Sequence, residues 1–299
     1  LTPGPRRAAA VLLAFALPGN PQVPEGKAGR WRFRVDESLS FPGGILQVQL
    51  GPSPALRGAA YALLNGHRSA FYPAAGGPRA LVPVSATTRP GEATLGVEVR
   101  SGRRAYRDTV IVTIPPREYP PRHVSLGPEG RERVARSTLR DGRPLLELLR
   151  TVSPVANWNG PFLPPVEAPP VYSYGAPTTY DGGGVVEARL DGLHGEHHRG
   201  MDYPTPAGTT VRAPARGQLL LTGHFSLSGG TVLIDHGQGV VSALFHLSQV
   251  QGRPGDMVET GAPVGLSGDT GVAGVPQVHW GVYVRGVAVD PRVMQSLPR

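Results

Sequence analysis

Between about residues 30 and 116, apolar positions recur at every second residue in short runs. In Thr94-Leu95-Gly96-Val97-Glu98-Val99, residues Leu95, Val97 and Val99 share one face of an extended chain. Ile45-Leu46-Gln47-Val48-Gln49-Leu50 alternates more weakly, and the β-branched run Val110-Ile111-Val112-Thr113-Ile114 stops at Pro115-Pro116. Pro42-Gly43-Gly44, Asn65-Gly66 and Arg89-Pro90-Gly91 supply turns between such runs, because glycine and asparagine accept the left-handed conformations that tight turns need. Strands at this spacing predict an immunoglobulin-like β-sandwich over residues 30–116.

The pattern then changes. Residues 117–170 read as a helical and proline-rich linker. It opens in a stiff extended stretch from Pro115 to Pro121, and short helices are expected over 130–136 and 144–150, interrupted at Asp141-Gly142. Trp158 and Phe162 lie in a second proline-rich stretch and are expected to dock on the following domain. From residue 171 to 299, strand-like runs return at 210–213, 218–222, 231–235 and 240–246, separated by glycine-rich turns, which predicts an antiparallel β domain. The fold class expected is therefore all-β, with two β domains joined by a connector.

Composition narrows the chemistry. The chain has no cysteine, so disulfides and thiolate metal sites are excluded and any zinc ligand must be histidine or carboxylate. The formal net charge of +8 favours anionic partners, including nucleic acid, acidic cell-wall polymers or phospholipid head groups. The arginines are scattered and not interleaved with aromatics, so the footprint of a nucleic-acid binder is missing. Arg6-Arg7, the apolar run 8–17 and the small residues Ala14 and Ala16 fit a secretory signal peptide over residues 1–20, too short to span a bilayer. An exported protein of the periplasm or cell envelope is expected, with no other transmembrane span.

The candidate chemistry lies in two short stretches, His198-Arg199-Gly200-Met201-Asp202 and Gln277-Val278-His279. Residues two or four apart in extended backbone point the same way, so His198 with Asp202, and Gln277 with His279, can each share a sheet face. Two imidazoles and a carboxylate form a donor set that suits zinc and leaves a fourth tetrahedral position open, as catalytic sites require; structural zinc sites are normally closed by four protein ligands. His194 and His197 lie near enough in sequence to compete with His198.

Five ordered segments carry a family resemblance: residues 198–202, 208–217, His236-Gly237-Gln238-Gly239, His246-Leu247-Ser248, and Gln277-Val278-His279 followed by Asp290-Pro291. Together they resemble the LytM or lysostaphin-type zinc metallopeptidases, the M23 endopeptidases. Val171-Tyr172-Ser173-Tyr174-Gly175 also resembles that family's first strand, and residues 81–91 weakly resemble a β-sandwich module that precedes some of its catalytic domains. The resemblance implies that His198, Asp202 and His279 are zinc ligands, and it favours His198 over its neighbours because only His198 has the glycine and aspartate at the family spacing. It implies a catalytic role for His246 beside the metal. Tyr180 is a candidate either for the oxyanion or for ordinary packing. Gln277 stands where the family has the first histidine of a His-x-His pair; glutamine can orient a water but cannot take its proton. The substrate implied is the peptide part of peptidoglycan, cut as an endopeptidase. The alternative is a catalytically impaired LytM-like module that binds the wall or regulates a partner hydrolase.

Overall fold

A computed structural model describes residues 23–51, 56, 58–136, 139–171, 174–180 and 197–297. The expected signal peptide and most of the loop before His198, His194 included, lie outside the described residues.

The N-terminal part is built from β1 (Glu25–Ala28), β2 (Trp31–Asp36), β3 (Ile45–Leu50), β4 (Ala60–Leu64), β5 (His67–Ala70), β6 (Arg79–Pro83), β7 (Gly91–Ser101) and β8 (Arg104–Ile114). Two four-stranded sheets, in orders β1-β2-β3-β6 and β5-β4-β7-β8, close on one apolar core. The period-two pattern holds there: Trp31, Phe33 and Val35 alternate with exposed Arg32, Arg34 and Asp36, and Leu95, Val97 and Val99 face inward together. Asn65 and Gly66 both take positive φ, 49° and 80°, as a two-residue hairpin loop requires. The first strand begins at Glu25, ahead of the expected position 30.

The connector is more structured than its prolines suggest. It holds β9 (Arg122–Val124), α1 (Pro128–Arg136) and α2 (Leu139–Leu148). The break expected at Asp141-Gly142 is absent, since α2 runs through both residues and through Pro144. Pro144 is the sixth of the ten residues of this helix, so its missing N–H costs an interior hydrogen bond, and burial of Leu145 and Leu149 against Leu233, Val241, Ala243 and Phe245 of the C-terminal domain offsets that loss. Trp158 and Phe162 dock as expected, with ring centroids 5.8 Å apart in an edge contact. They join Ile45 and Leu81 of the sandwich and Met201, Tyr203 and Trp280 of the C-terminal domain in a single cluster. The sandwich and C-terminal domain are therefore packed through a shared apolar seam, reinforced by the Asp290 amide donating to Gly43 O at 2.7 Å.

The C-terminal domain contains β10 (Thr178–Tyr180), β11 (Met201–Pro204), β12 (Thr210–Arg212), β13 (Gly217–Phe225), β14 (Gly229–Gly237), β15 (Val240–Val250), β16 (Met257–Val258), β17 (Pro263–Ser267), β18 (Gln277–Val284), β19 (Val287–Val289) and α3 (Pro291–Ser296). Nine of these strands form one antiparallel sheet whose main path runs β11-β18-β15-β14-β13-β16. β10 instead pairs in parallel with β9. The segment expected to form a strand at 171–175 is a turn at Tyr174 and Gly175, with Tyr172 and Ser173 outside the described residues. It still runs beside the key stretch, through Val171 N to Asp202 O at 3.0 Å and Gly175 N to His198 O at 2.8 Å.

Both faces of the central strands are used. Val278, Trp280, Val282 and Val284 of β18 enter the seam cluster. The opposite face carries Tyr283 under α2 and, farther along, His279 and Gln277. The site thus continues a sheet face that is apolar at its other end.

Candidate functional site

Register brings the two sequence stretches together. In the β11–β18 ladder Asp202 pairs directly with His279, and Pro204 with Gln277. Gly200 permits this approach: a Cβ there would lie 2.6 Å from His279 Nε2 and would also strike Trp280 O. His198 is fixed just before the strand by its amide donating to Ala176 O at 2.9 Å.

Three donor atoms converge. Asp202 Oδ1 lies 2.8 Å from His279 Nδ1 and 3.1 Å from His198 Nε2, and the two ring nitrogens are 3.0 Å apart. Donors around a tetrahedral zinc at about 2.0–2.1 Å stand about 3.3 Å from one another, so the triangle fits such an ion after a small expansion. All three side chains are buried, and they form the group suited to a metal among the described residues. His197, one residue away, lines the cleft without joining the triangle.

The electrostatics favour a charged aspartate beside a neutral His279 ring. Burial alone would raise the Asp202 pKa, but His198 and His279 hold the carboxyl well below its usual range. Burial pushes His279 down to about 4, against the opposing pull of Asp202, so its ring is neutral at pH 7 and has a lone pair to offer.

A bulge supplies the fourth feature. Across β14 and β15 the register slips between Gly230 and Val232, so that two residues of β15, Phe245 and His246, stand opposite Thr231. His246 takes φ 68°, a conformation uncommon for a side chain with a Cβ. In regular extended backbone Phe245 and His246 would point to opposite faces; here both line the same cleft. Phe245 stacks on His279 at 5.2 Å with planes 7° apart, and the His246 ring lies 6.2 Å from that of His279. His246 Nδ1–H donates to Thr270 O at 3.0 Å, which selects the tautomer with the lone pair on Nε2.

The cleft has a volume of about 310 Å³, and its lining includes Tyr180, His198, Asp202, His246, Gln277 and His279. Tyr180 lines the cleft while its ring packs with Leu126, Val134, Leu227 and Val272. Gln277 is buried, with its backbone N–H donating to Gly268 O at 2.9 Å. His236 is fully buried near the end of β14. Its Nδ1–H donates to Arg216 O at 3.0 Å, and its Nε2 accepts from Ser242 Oγ at 2.9 Å. His224 is exposed on β13, away from this lining.

Sequence reasoning missed Arg122. Its Nη1 lies 2.6 Å from Asp202 Oδ2, in an ion pair where both side chains are largely buried. The sequence signal was slight: one arginine following a proline run, far from either motif.

Residues 196–291 match the family model "Peptidase family M23". The peptidoglycan DD-endopeptidase ShyA of Vibrio cholerae is 34% identical over 93 residues, which are 31% of this chain and 22% of that protein. The DD-carboxypeptidase/endopeptidase Mpg of Neisseria meningitidis is 37% identical over 101 residues, 34% of this chain and 23% of its own. The chain thus matches less than a quarter of the length of these relatives. A crystal structure from Pseudomonas aeruginosa, described as of the peptidase M23 type, is 25% identical, with a TM-score of 0.63 over 88% of this chain and 97% of its own. That likeness extends well beyond the matched segment into the sandwich and connector. Residues 196–291 thus carry a peptidase M23 domain, whose ordered motifs fold around one donor triangle.

Proposed function

We propose that this protein is a zinc-dependent endopeptidase that hydrolyses peptide cross-links of peptidoglycan, acting in the periplasm or cell envelope. The observation that carries the reading is the buried His198–Asp202–His279 triangle at the base of an open cleft, with His246 on the adjoining wall. Bound by these three residues, zinc would supply Lewis-acid polarisation and a lowered water pKa. The remaining work falls to the chain. His246 can hold or release a proton at Nε2, and in its protonated form stabilise the charge that develops on a substrate carbonyl oxygen. Gln277 orients water through its carboxamide without taking a proton. Phe245 braces the His279 ring by stacking, and the surrounding apolar residues lower the local dielectric, which strengthens each of these interactions.

Gln277 also favours a second reading, a module that binds wall peptide or regulates a partner hydrolase without cutting. Retention of a complete donor triangle argues for catalysis, because a module that no longer used the metal would gain nothing from burying two imidazoles and a carboxylate together. The deciding assay is release of new amino termini from purified peptidoglycan by zinc-loaded protein, with Asp202→Ala as the blank. Release lost in the variant is the expected result. No release above the blank across several cross-link types, with zinc bound, would select the non-catalytic reading.

A further inference from the structure

We propose that Arg122 is a positioning residue of the metal centre, supplied from outside the M23 segment, which holds Asp202 as a single-oxygen donor. The inference rests on the zinc reading given above.

The two oxygens of Asp202 are divided between different partners. Oδ1 faces His198 Nε2 and His279 Nδ1, whereas Oδ2 accepts from Arg122 Nη1 at 2.6 Å. A carboxylate beside a cation can bind through one oxygen or through both. Here the guanidinium occupies the oxygen that would otherwise complete a two-oxygen grip, so Asp202 contributes one ligand atom and a position for water or substrate stays open. Arginine suits this task better than lysine because its planar fork can hold two partners in fixed directions. Arg122 does so, with Nε donating to Thr178 Oγ1 at 3.0 Å while Nη1 holds Asp202.

The segment that carries Arg122 is built in as a wall. The Arg122 amide donates to Pro177 O at 2.8 Å, and residues 122–124 pair in parallel with 178–180. Just beyond, Val124, Leu126 and Val134 pack with Tyr180, Leu227 and Val272, and Arg133 Nη1 donates to Gly271 O at 2.5 Å. These contacts make the stretch a fixed part of the cleft, and a buried ion pair of this kind adds little net stability. Its function is therefore geometric. An alternative, in which Arg122 is a latch that excludes metal, would place the guanidinium on Oδ1, inside the donor triangle. It lies on the other oxygen.

The experiment uses the full chain loaded with Co²⁺, whose visible absorption is intense in four-coordinate sites and weak when more ligands bind. Wild type is expected to bind one Co²⁺ per chain with intense bands, and Asp202→Ala to lose that binding. Failure of wild type to bind metal would overturn the zinc reading and this inference together. Given a binding wild type, Arg122→Ala should lower band intensity severalfold as Oδ2 turns to the metal, and Arg122→Lys should recover part of it. Thr178→Val retains the guanidinium but removes its second anchor, and should give an intermediate spectrum; it decides the matter if Arg122→Ala does not fold. Weak bands in the wild type, or wild-type bands in the folded Arg122→Ala or in Thr178→Val, would overturn the role of Arg122 while leaving the zinc site standing.

Discussion

Replacing His236 by glutamine should flatten the acid side of the stability profile. His236 is fully buried, and its two nitrogens are committed as one donor to Arg216 O and one acceptor from Ser242 Oγ, which also accepts from Trp280 Nε1 at 3.2 Å. That chain fits only the neutral imidazole, and burial lowers its pKa from 6.5 to about 4. The unfolded chain takes a proton near pH 6.5 and the folded chain only near 4. Stability is therefore full above pH 6.5, falls as the pH drops through this interval, and levels off below about 4. At about 1.4 kcal/mol per pK unit, the whole interval is worth about 3 kcal/mol, of which about 2 kcal/mol is lost by pH 5. Glutamine retains one donor and one acceptor but does not titrate. Urea unfolding of both proteins in chelator, at pH 8 and pH 5, isolates the effect, because the metal-site histidines contribute equally to each. The variant should be less stable at pH 8 and should lose about 2 kcal/mol less than wild type on acidification. Parallel profiles would refute the assignment of His236 as a neutral buried group.

Other substitutions probe the site and its support. Gly200→Ala should cost about 1–3 kcal/mol in stability and weaken zinc binding in chelator competition, because its Cβ drives β11 away from His279. His246→Ala should retain zinc but slow peptide release by about 10²–10⁴-fold, the usual worth of a positioned proton-transfer group; unchanged turnover would remove His246 from the reaction. Phe162→Ala should destabilise the protein by about 3–5 kcal/mol in urea with no change in zinc affinity, since the ring fills the seam and not the cleft.

The amino-acid sequence by itself determined the β class and the principal strands, while its resemblance to a known family pointed to His198, Asp202 and His279. Each of those depends on a period or a spacing short enough to survive in a linear string. Alternation at Leu95, Val97 and Val99 specifies a half-buried strand whatever the neighbours are, and His198 stays near Asp202 because only three residues separate them. Asn65-Gly66 specified its hairpin for a similarly local reason, the positive φ at both positions.

Only the tertiary structure decided what depends on partners distant in sequence. α2 passes through Gly142 and Pro144 because Leu145 and Leu149 are anchored on a sheet formed much later in the chain. His236 is closed over by Phe162 of the connector, with ring centroids 4.6 Å apart. His246 reaches the cleft through a bulge, and a one-residue slip of register leaves no mark in periodicity. Arg122 meets Asp202 because β9 pairs with β10 and places the connector across the cleft wall. Local spacing encodes which residues share a face; only packing of the whole chain determines which faces meet.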